Sequence, residues 1–338
     1  MSEHETIGVI GAGAWGTALA QMLSTGGRDV ILWAYEPEVA AAINADHRNP
    51  LYLPSATLAP TICATGDLAD LADLDTVLVV TPAQVLGRVL AGLTRAPRDL
   101  VLCSKGIEAG TGRMMNDVAR EAAPASAIAV LSGPTFAHEV AGGLPTAVTL
   151  ACGGGPAQWE RLAPAIARPT FRPYFSEDVI GAEIGGAVKN VLAIACGVVD
   201  GLGLGQNARA ALIARGYAEM LRFGEALGAR AETLSGLCGL GDLVLTCSST
   251  SSRNFSLGKA LGEGGSAAAL MGDRRTVAEG AHTAPVLAEL AGRRGVAMPI
   301  VAAVDAIIKG ADARAVVAAL LARPLKAERD SPHGTPGA

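Results

Sequence analysis

The feature that most constrains this chain is a glycine-rich turn near its start. Ile7-Gly8-Val9-Ile10 is a short apolar run, and Gly11-Ala12-Gly13-Ala14-Trp15-Gly16 follows it directly, leading into a helical pattern from Thr17. In a G-x-G-x-x-G placed after a strand and before a helix, each glycine has a physical role. Gly11 permits the tight turn, Gly13 lets a pyrophosphate approach the backbone, and Gly16 lets the helix pack against the strand. The helix start adds unpaired N–H donors for phosphates. The context therefore predicts dinucleotide binding, with a merely structural turn as the alternative. A second cluster, Gly201-Leu202-Gly203-Leu204-Gly205, follows a helical segment instead and predicts a helix–helix connection.

The choice of nicotinamide dinucleotide should be decided at the end of the second strand, Trp33-Ala34-Tyr35-Glu36-Pro37. Glu36 lies twenty residues past Gly16, where a carboxylate can accept the ribose hydroxyls and repel a 2′-phosphate. The alternative is that Glu36 only begins the next helix, with Pro37 at its first position. Both readings stand at this point.

Apolar β-rich runs alternate with helix-like segments through the first half: 6–10, 30–33, 76–80, 100–103, 127–131, 146–151 and 171–175. Such alternation predicts a Rossmann-like, doubly wound, mainly parallel sheet covered on both faces. From Ser176 the pattern changes. Ser176 is expected to be an N-cap with Glu177 and Asp178 in the first turn, and Ile180, Ile184, Val188, Val191 and Ala195 recur at helical spacing. The remainder alternates Ala/Leu-rich helical stretches with Gly- or Ser-rich turns. At 338 residues, and about one domain per 150, two domains are expected. The reading is an α/β dinucleotide-binding domain over 1–175, an all-helical substrate domain over 176–330, and a frayed tail over 331–338.

Composition narrows the function. Half the residues are hydrophobic and 17% are charged, enough apolar surface for a large core. Only 4% are aromatic, no cluster interleaves them with Arg and Lys as a stacking platform would, and the net charge of -5 argues against a polyanion binder, so no nucleic-acid partner is expected. The acidic start, Glu3-His4-Glu5, is unlike a secretory signal and is expected to stay on the mature protein. Glycine and proline interrupt uncharged stretches such as 140–159, so the chain is not expected to be membrane-embedded. The six dispersed cysteines predict buried, reduced thiols in a cytoplasmic protein, and no metal is expected, His138-Glu139 lacking a second histidine.

In a doubly wound sheet the ligand crevice lies beyond the carboxyl ends of the strands. Three segments qualify: Thr81-Pro82-Ala83-Gln84, Ser104-Lys105-Gly106, and Ser132-Gly133-Pro134-Thr135-Phe136-Ala137. Lys105 would project a cation into the crevice, or else be solvated. Lys189 lies in the most apolar helical segment, three and four residues after Gly186 and Gly185. Each glycine costs about 1 kcal/mol there relative to Ala, which suggests a close approach to the backbone. A lysine over that gap could serve as general acid/base with a lowered pKa, or snorkel beside a packing notch. Asp242 stands alone in Gly239-Leu240-Gly241-Asp242-Leu243, as a functional carboxylate or a helix cap. Ser252-Arg253-Asn254 would suit a phosphate at a helix start, or belong to a flexible loop.

Taken together, these segments resemble the NAD(P)-dependent glycerol-3-phosphate dehydrogenase family in its bacterial form, from Gly8 to about Lys326. The likeness rests on the ordered set of residues 11–18, 104–108, 131–137, 185–191, 239–243, 252–254 and Val277-Ala278-Glu279-Gly280. It implies reversible hydride transfer between NAD(P)H and dihydroxyacetone phosphate, giving sn-glycerol 3-phosphate for phospholipid synthesis. By the resemblance, Lys189 exchanges the proton and Asp242 holds or polarises it. Lys105, Gly133, Thr135, Lys189, Asp242, Ser252, Arg253 and Asn254 would hold substrate. Gly11, Gly13, Ala14, Trp15, Gly16, Tyr35, Lys105, Ala137, Arg253, Val277 and Glu279 would line the cofactor. Many relatives carry Arg or His where this chain has Tyr35, so NADP preference is not implied and the cofactor reads as NAD(P). The oligomeric state is left open, a homodimer included. The rival readings are a related two-domain hydroxy-acid or sugar-acid dehydrogenase, and a dinucleotide sensor without turnover.

Overall fold

The computed structural model describes residues 5–271 and 278–324. The first half alternates strand and helix as β1 (Ile7–Ile10), α1 (Ala14–Leu23), β2 (Val30–Trp33), α2 (Pro37–Asp46), β3 (Ile62–Thr65), β4 (Thr76–Val79), α3 (Leu86–Leu90) and β5 (Asp99–Leu102). It continues as α4 (Met115–Ala122), β6 (Ala127–Ser132), α5 (Ala137–Ala141), β7 (Thr146–Cys152), α6 (Gly155–Ile166) and β8 (Phe171–Ser176). The strands form one sheet in the order β3-β2-β1-β4-β5-β6-β7-β8, with only β6 and β7 antiparallel. β1, β4 and β5 are buried on both faces, as their mostly apolar runs require. The chain reverses its winding between β1 and β4, so the glycine turn after β1 sits at the topological switch point.

The second half is helical: α7 (Val179–Gly201), α8 (Gly205–Ala226), α9 (Ala231–Ser235), α10 (Asp242–Thr246), α11 (Arg253–Gly262), α12 (Ala267–Met271), α13 (Glu279–Arg293), α14 (Pro299–Ile308) and α15 (Ala313–Leu321). α7 is long and apolar enough to cross a bilayer, yet 20 of its 23 residues are buried within the protein. It is the axis of the helical half. The Gly201–Gly205 cluster joins α7 to α8, as expected.

Two local expectations change. Asp178, not Ser176, caps α7: its Oδ1 accepts the Gly181 N–H at 2.8 Å, while Ser176 ends β8 and accepts the Asp178 N–H at 3.1 Å. Strand pairing with β7 holds Ser176 extended, so the helix starts later. Cys63 is exposed on edge strand β3, whereas the other five cysteines are buried; all six are free thiols.

α7 and α11 approach closely through small residues. A Cβ on Gly197 would lie 2.1 Å from the Phe255 carbonyl oxygen, and one on Gly258 would lie 2.0 Å from that of Ile194. These notches set how closely α11 packs on α7. Helix propensity alone makes Gly197→Ala stabilising by about 1 kcal/mol. The close approach should win, with a net loss of about 1–3 kcal/mol in urea denaturation.

Candidate active site

The glycine turn provides one wall. Gly11 adopts φ +113°, a conformation that favours glycine, and a Cβ on Gly16 would lie 1.8 Å from the Gly11 carbonyl oxygen. A Cβ on Gly13 would meet nothing within 4 Å, so open space lies over the turn. No side chain caps α1, which leaves first-turn N–H groups available, and Trp15 Nε1 is buried without a partner among the described residues. Free donors beside a side-chain-free surface fit the pyrophosphate of a dinucleotide.

A charged cluster provides the floor. Ser104 Oγ donates to the Thr81 carbonyl at 2.6 Å, bracing the turn after β5. The next residue, Lys105, donates from Nζ to Asp242 Oδ2 at 2.8 Å. Lys189 donates to Asp242 Oδ1 and, at 3.0 Å, to Thr246 Oγ1, which itself donates to Asp242 Oδ1 at 3.1 Å. Asp242 is fully buried, and the Lys189 side chain is 6% exposed against 18% for Lys105.

The glycine notch on α7 accounts for this convergence. A Cβ on Gly185 would lie 2.2 Å from the Cys238 carbonyl oxygen, so the π-turn Leu237–Gly241 seats directly on α7 and delivers Asp242 one turn along, at Lys189. At Gly186 the neighbour is Lys105, whose Cγ would be 3.3 Å from an added Cβ. The close approach expected from the glycines is thus made by two chain segments, the π-turn and the strand-end lysine.

Burial pushes the Lys189 ammonium down to about 7; Asp242 opposes the shift and Lys105 adds to it. For Lys105 burial also acts downward, but the charge and hydrogen bond of Asp242 outweigh it and hold the pKa above its ordinary value. Burial would raise the Asp242 carboxyl, and the two lysines overcome that, holding it low. One carboxylate therefore serves two lysines, and the deeper lysine releases its proton first.

The starts of two helices close the site. Ser252 caps α11 by accepting the Phe255 N–H at 3.2 Å, so it is an ordered cap and not part of a flexible loop. Arg253, at the first position of α11, is exposed. Asn254 is buried and accepts the Gly280 N–H at 2.9 Å; a Cβ on Gly280 would lie 2.5 Å from the carbonyl oxygen of Asn190, next to Lys189. Glu279 opens α13. Burial pushes its carboxyl up to about 7, opposed by the charge of Arg253, and its Oε2 would be 3.7 Å from a Cβ on Gly106.

Gly133 packs against β7, and the neighbouring Pro134 would contact a Cβ on Gly241, beside Asp242. Thr135 is partly buried, its hydroxyl donating weakly to the Gly133 carbonyl at 3.4 Å. Ala137 begins α5, which packs on α1, and with Trp15 it flanks the same core. Tyr35 is 77% exposed at the end of β2, apart from the lysine cluster. Val277 lies outside the described residues. Thr246 was not anticipated, although its i,i+4 spacing from Asp242 is a local signal. Asn49, which braces the glycine turn through the Ala12 carbonyl, carries no such signal.

A Rossmann-like sheet with a glycine turn at its switch point, joined to a helical half through a buried lysine–carboxylate–lysine cluster, fits the class of dinucleotide-dependent dehydrogenases. Family models described as the N-terminus and C-terminus of NAD-dependent glycerol-3-phosphate dehydrogenase match residues 6–156 and 178–318. A protein of Erythrobacter litoralis named glycerol-3-phosphate dehydrogenase (NAD(P)+) is 76% identical over 325 residues, covering 96% of this chain and 98% of the relative. One of Novosphingobium aromaticivorans with the same name is 74% identical over 323 residues, covering 95% and 98%. The crystal structure of glycerol-3-phosphate dehydrogenase from Coxiella burnetii superposes with a TM-score of 0.89 at 38% identity, covering 94% of this chain and 99% of that one. The chain belongs to the NAD-dependent glycerol-3-phosphate dehydrogenase family.

Asp242→Asn leaves two lysines across a neutral amide. The Lys189 pKa should then fall further below about 7, read from the pH dependence of its Nζ resonance in lysine-labelled protein.

Proposed function

We propose that this chain reversibly reduces dihydroxyacetone phosphate to sn-glycerol 3-phosphate with NAD(P)H, using Lys189 as the proton-transfer group, in the cytoplasm and in support of glycerophospholipid synthesis. The observation that carries the reading is the buried Asp242 held between Lys105 and Lys189 at the junction of strand ends and α7. On this reading residues 1–175 hold the dinucleotide and 176–330 hold the substrate. The partner is a small molecule, and a homodimer is the candidate assembly.

The bound dinucleotide supplies or accepts a hydride at the nicotinamide C4. Lys189 gives its proton to the oxygen on C2 of the substrate as the ketone becomes an alcohol, and the neutral amine takes it back in the reverse direction. A pKa of about 7 suits both tasks near neutrality. Asp242 and Thr246 take up two of the three ammonium donors of Lys189, which leaves one for the substrate. Lys105 keeps its charge and offers a fixed cation to the reacting oxygen or the ester. Arg253 and Asn254 would receive the phosphate at the start of α11, where N–H groups and a forked cation suit a dianion.

Lys189→Ala should lower kcat by about 100- to 10,000-fold and leave dinucleotide affinity near wild type. In the wild type, ketone reduction should fall as pH rises through about 7 while alcohol oxidation rises, since reduction needs the ammonium and oxidation the amine. Wild-type turnover in Lys189→Ala would remove the lysine from the chemistry.

Arg253→Ala should raise KM for dihydroxyacetone phosphate by about 10- to 100-fold, the loss of one charge-assisted hydrogen bond. Loss of absorbance at 340 nm, a wavelength set by the reduced nicotinamide (about 340 nm), checks this and compares the phosphate ester with plain dihydroxyacetone. Equal rates with both ketones would reject a phosphate site.

A further inference from the structure

Of the three polar segments at strand ends, Thr81-Pro82-Ala83-Gln84 supplies no group to the charged cluster, yet it lies directly against the turn that carries Lys105. Lys105 stands past the end of β5, outside any helix or strand. Backbone there has no ladder to fix it, and a lysine stem has many rotamers to give up. Something else must hold the ammonium on Asp242.

Four contacts tie this stretch to the turn after β4. Ser104 Oγ donates to the Thr81 carbonyl at 2.6 Å, on the near side of Lys105. A Cβ on Gly106 would lie 2.8 Å from the Ala83 Cβ, so the two turns are in close contact on its far side. The Gln84 side chain supplies the other two: its Nε2 donates to the Ile107 carbonyl at 2.8 Å, and its Oε1 accepts the Ala109 N–H at 2.9 Å. Ile107 itself is fully buried in the core of the helical half. Gln84 is exposed, so it fills no core; what it orders is the backbone that follows Lys105.

We propose that Gln84 is a positioning residue for the reaction: by joining the turn after β4 to residues 107–109 it holds the Lys105 ammonium on Asp242, and through that carboxylate it acts on Lys189. The inference rests on the reading of Lys189 as the proton-transfer group and adds to it a residue that touches none of the reacting atoms.

Lys189 reports where Lys105 is. The titratable groups acting on Lys189 are Asp242 and Lys105, with the Cys247 thiol close by; those acting on Lys105 are Asp242, Lys189 and the Cys103 thiol. Burial keeps both thiols protonated near neutrality, Cys103 pushed up to about 12 and Cys247 well above its ordinary value. Lys105 is therefore the charge whose displacement matters. It opposes the proton of Lys189 directly, and it takes up one oxygen of the carboxylate that favours that proton. Moving it away leaves Asp242 to Lys189 alone, and Lys189 then keeps its proton to higher pH.

Titration of the Lys189 Nζ resonance in lysine-labelled, ligand-free protein tests this without turnover. The wild type should titrate at about 7. Gln84→Met keeps the reach of the side chain and removes both hydrogen bonds, and the Lys189 midpoint should rise by ~0.5–1 pH unit, a gain in proton affinity of about 3- to 10-fold. Gln84→Ala should give the same rise, and Lys105→Met, which removes the charge outright, a larger one. In the Lys105→Met background Gln84→Met should move the midpoint no further, because its effect is carried by Lys105. Circular dichroism of each variant checks that the fold is kept. An unchanged or lowered midpoint in either Gln84 variant would overturn the proposal. An equal rise with and without Lys105 would overturn it too, since it would mark a general loosening of the site. A wild-type Lys189 titrating near its ordinary value of 10.5 would instead reject the proton-transfer reading beneath it.

Discussion

A carboxylate removed from water and shared by two lysines is the interaction on which the rest of this molecule is organised. Taking three ionised groups out of solvent costs several kcal/mol for each, and close pairing only offsets that cost. Such a cluster is poor insulation against unfolding, but it is selective. Its members come from the end of β5, from α7 and from α10, and each loses its compensation if the others move. The arrangement thus couples the geometry of the sheet edge to that of the helical half. It also leaves the cluster with one more cation than anion when both lysines are protonated, a natural setting for a negatively charged ligand.

The helix that carries Lys189 meets unusual demands. It must be apolar enough to be surrounded, yet allow two polar segments to reach its backbone. Glycines at 185, 186 and 197 resolve the conflict. They give up about 1 kcal/mol each in helix propensity; those at 185 and 197 allow backbone approaches that any side chain would block, and the one at 186 leaves room that a side chain would crowd. Further ties hold α7 in place: Asp178 caps its start and also accepts the Arg230 N–H at 2.8 Å, and Glu183 accepts the Asn116 N–H at 2.6 Å from the start of α4. Burial pushes the Glu183 carboxyl up to about 8, opposed by that hydrogen bond.

What was legible in the sequence follows the range of the forces involved. The glycine turn, the strand ends and the apolar periodicity of α7 are each written in a short stretch of chain, and the fold, Lys105 and Lys189 could be named from them, with Asp242 named from its own glycine-flanked segment 239–243. β3 was missed because Ile62-Cys63-Ala64-Thr65, at the edge of the sheet, has Ile62 as its one large apolar residue. The Ser176 cap was misplaced because strand pairing with β7 outweighs a local capping preference. Asn49 acts on Ala12 across 37 residues, and Lys189 on Asp242 across 53. No window of local pattern contains such a pair; the ordered family motifs supplied Asp242 its partner, and nothing supplied Asn49 with one.

The contrast between those two long-range contacts explains why the reactive groups sit where they do. A proton donor must hold its nitrogen within a fraction of an ångström of one atom, which favours a rigid helix with its side chain locked by Asp242 and Thr246. A phosphate turn must instead present backbone N–H groups, and backbone in a loop has no ladder to keep it still. The buried amide of Asn49 takes the place of that ladder, holding the Ala12 peptide from the side as a neighbouring strand would. Precision at the helix therefore comes from charge and packing, and precision at the turn from neutral hydrogen bonds that leave the positive end of α1 uncompensated for its ligand.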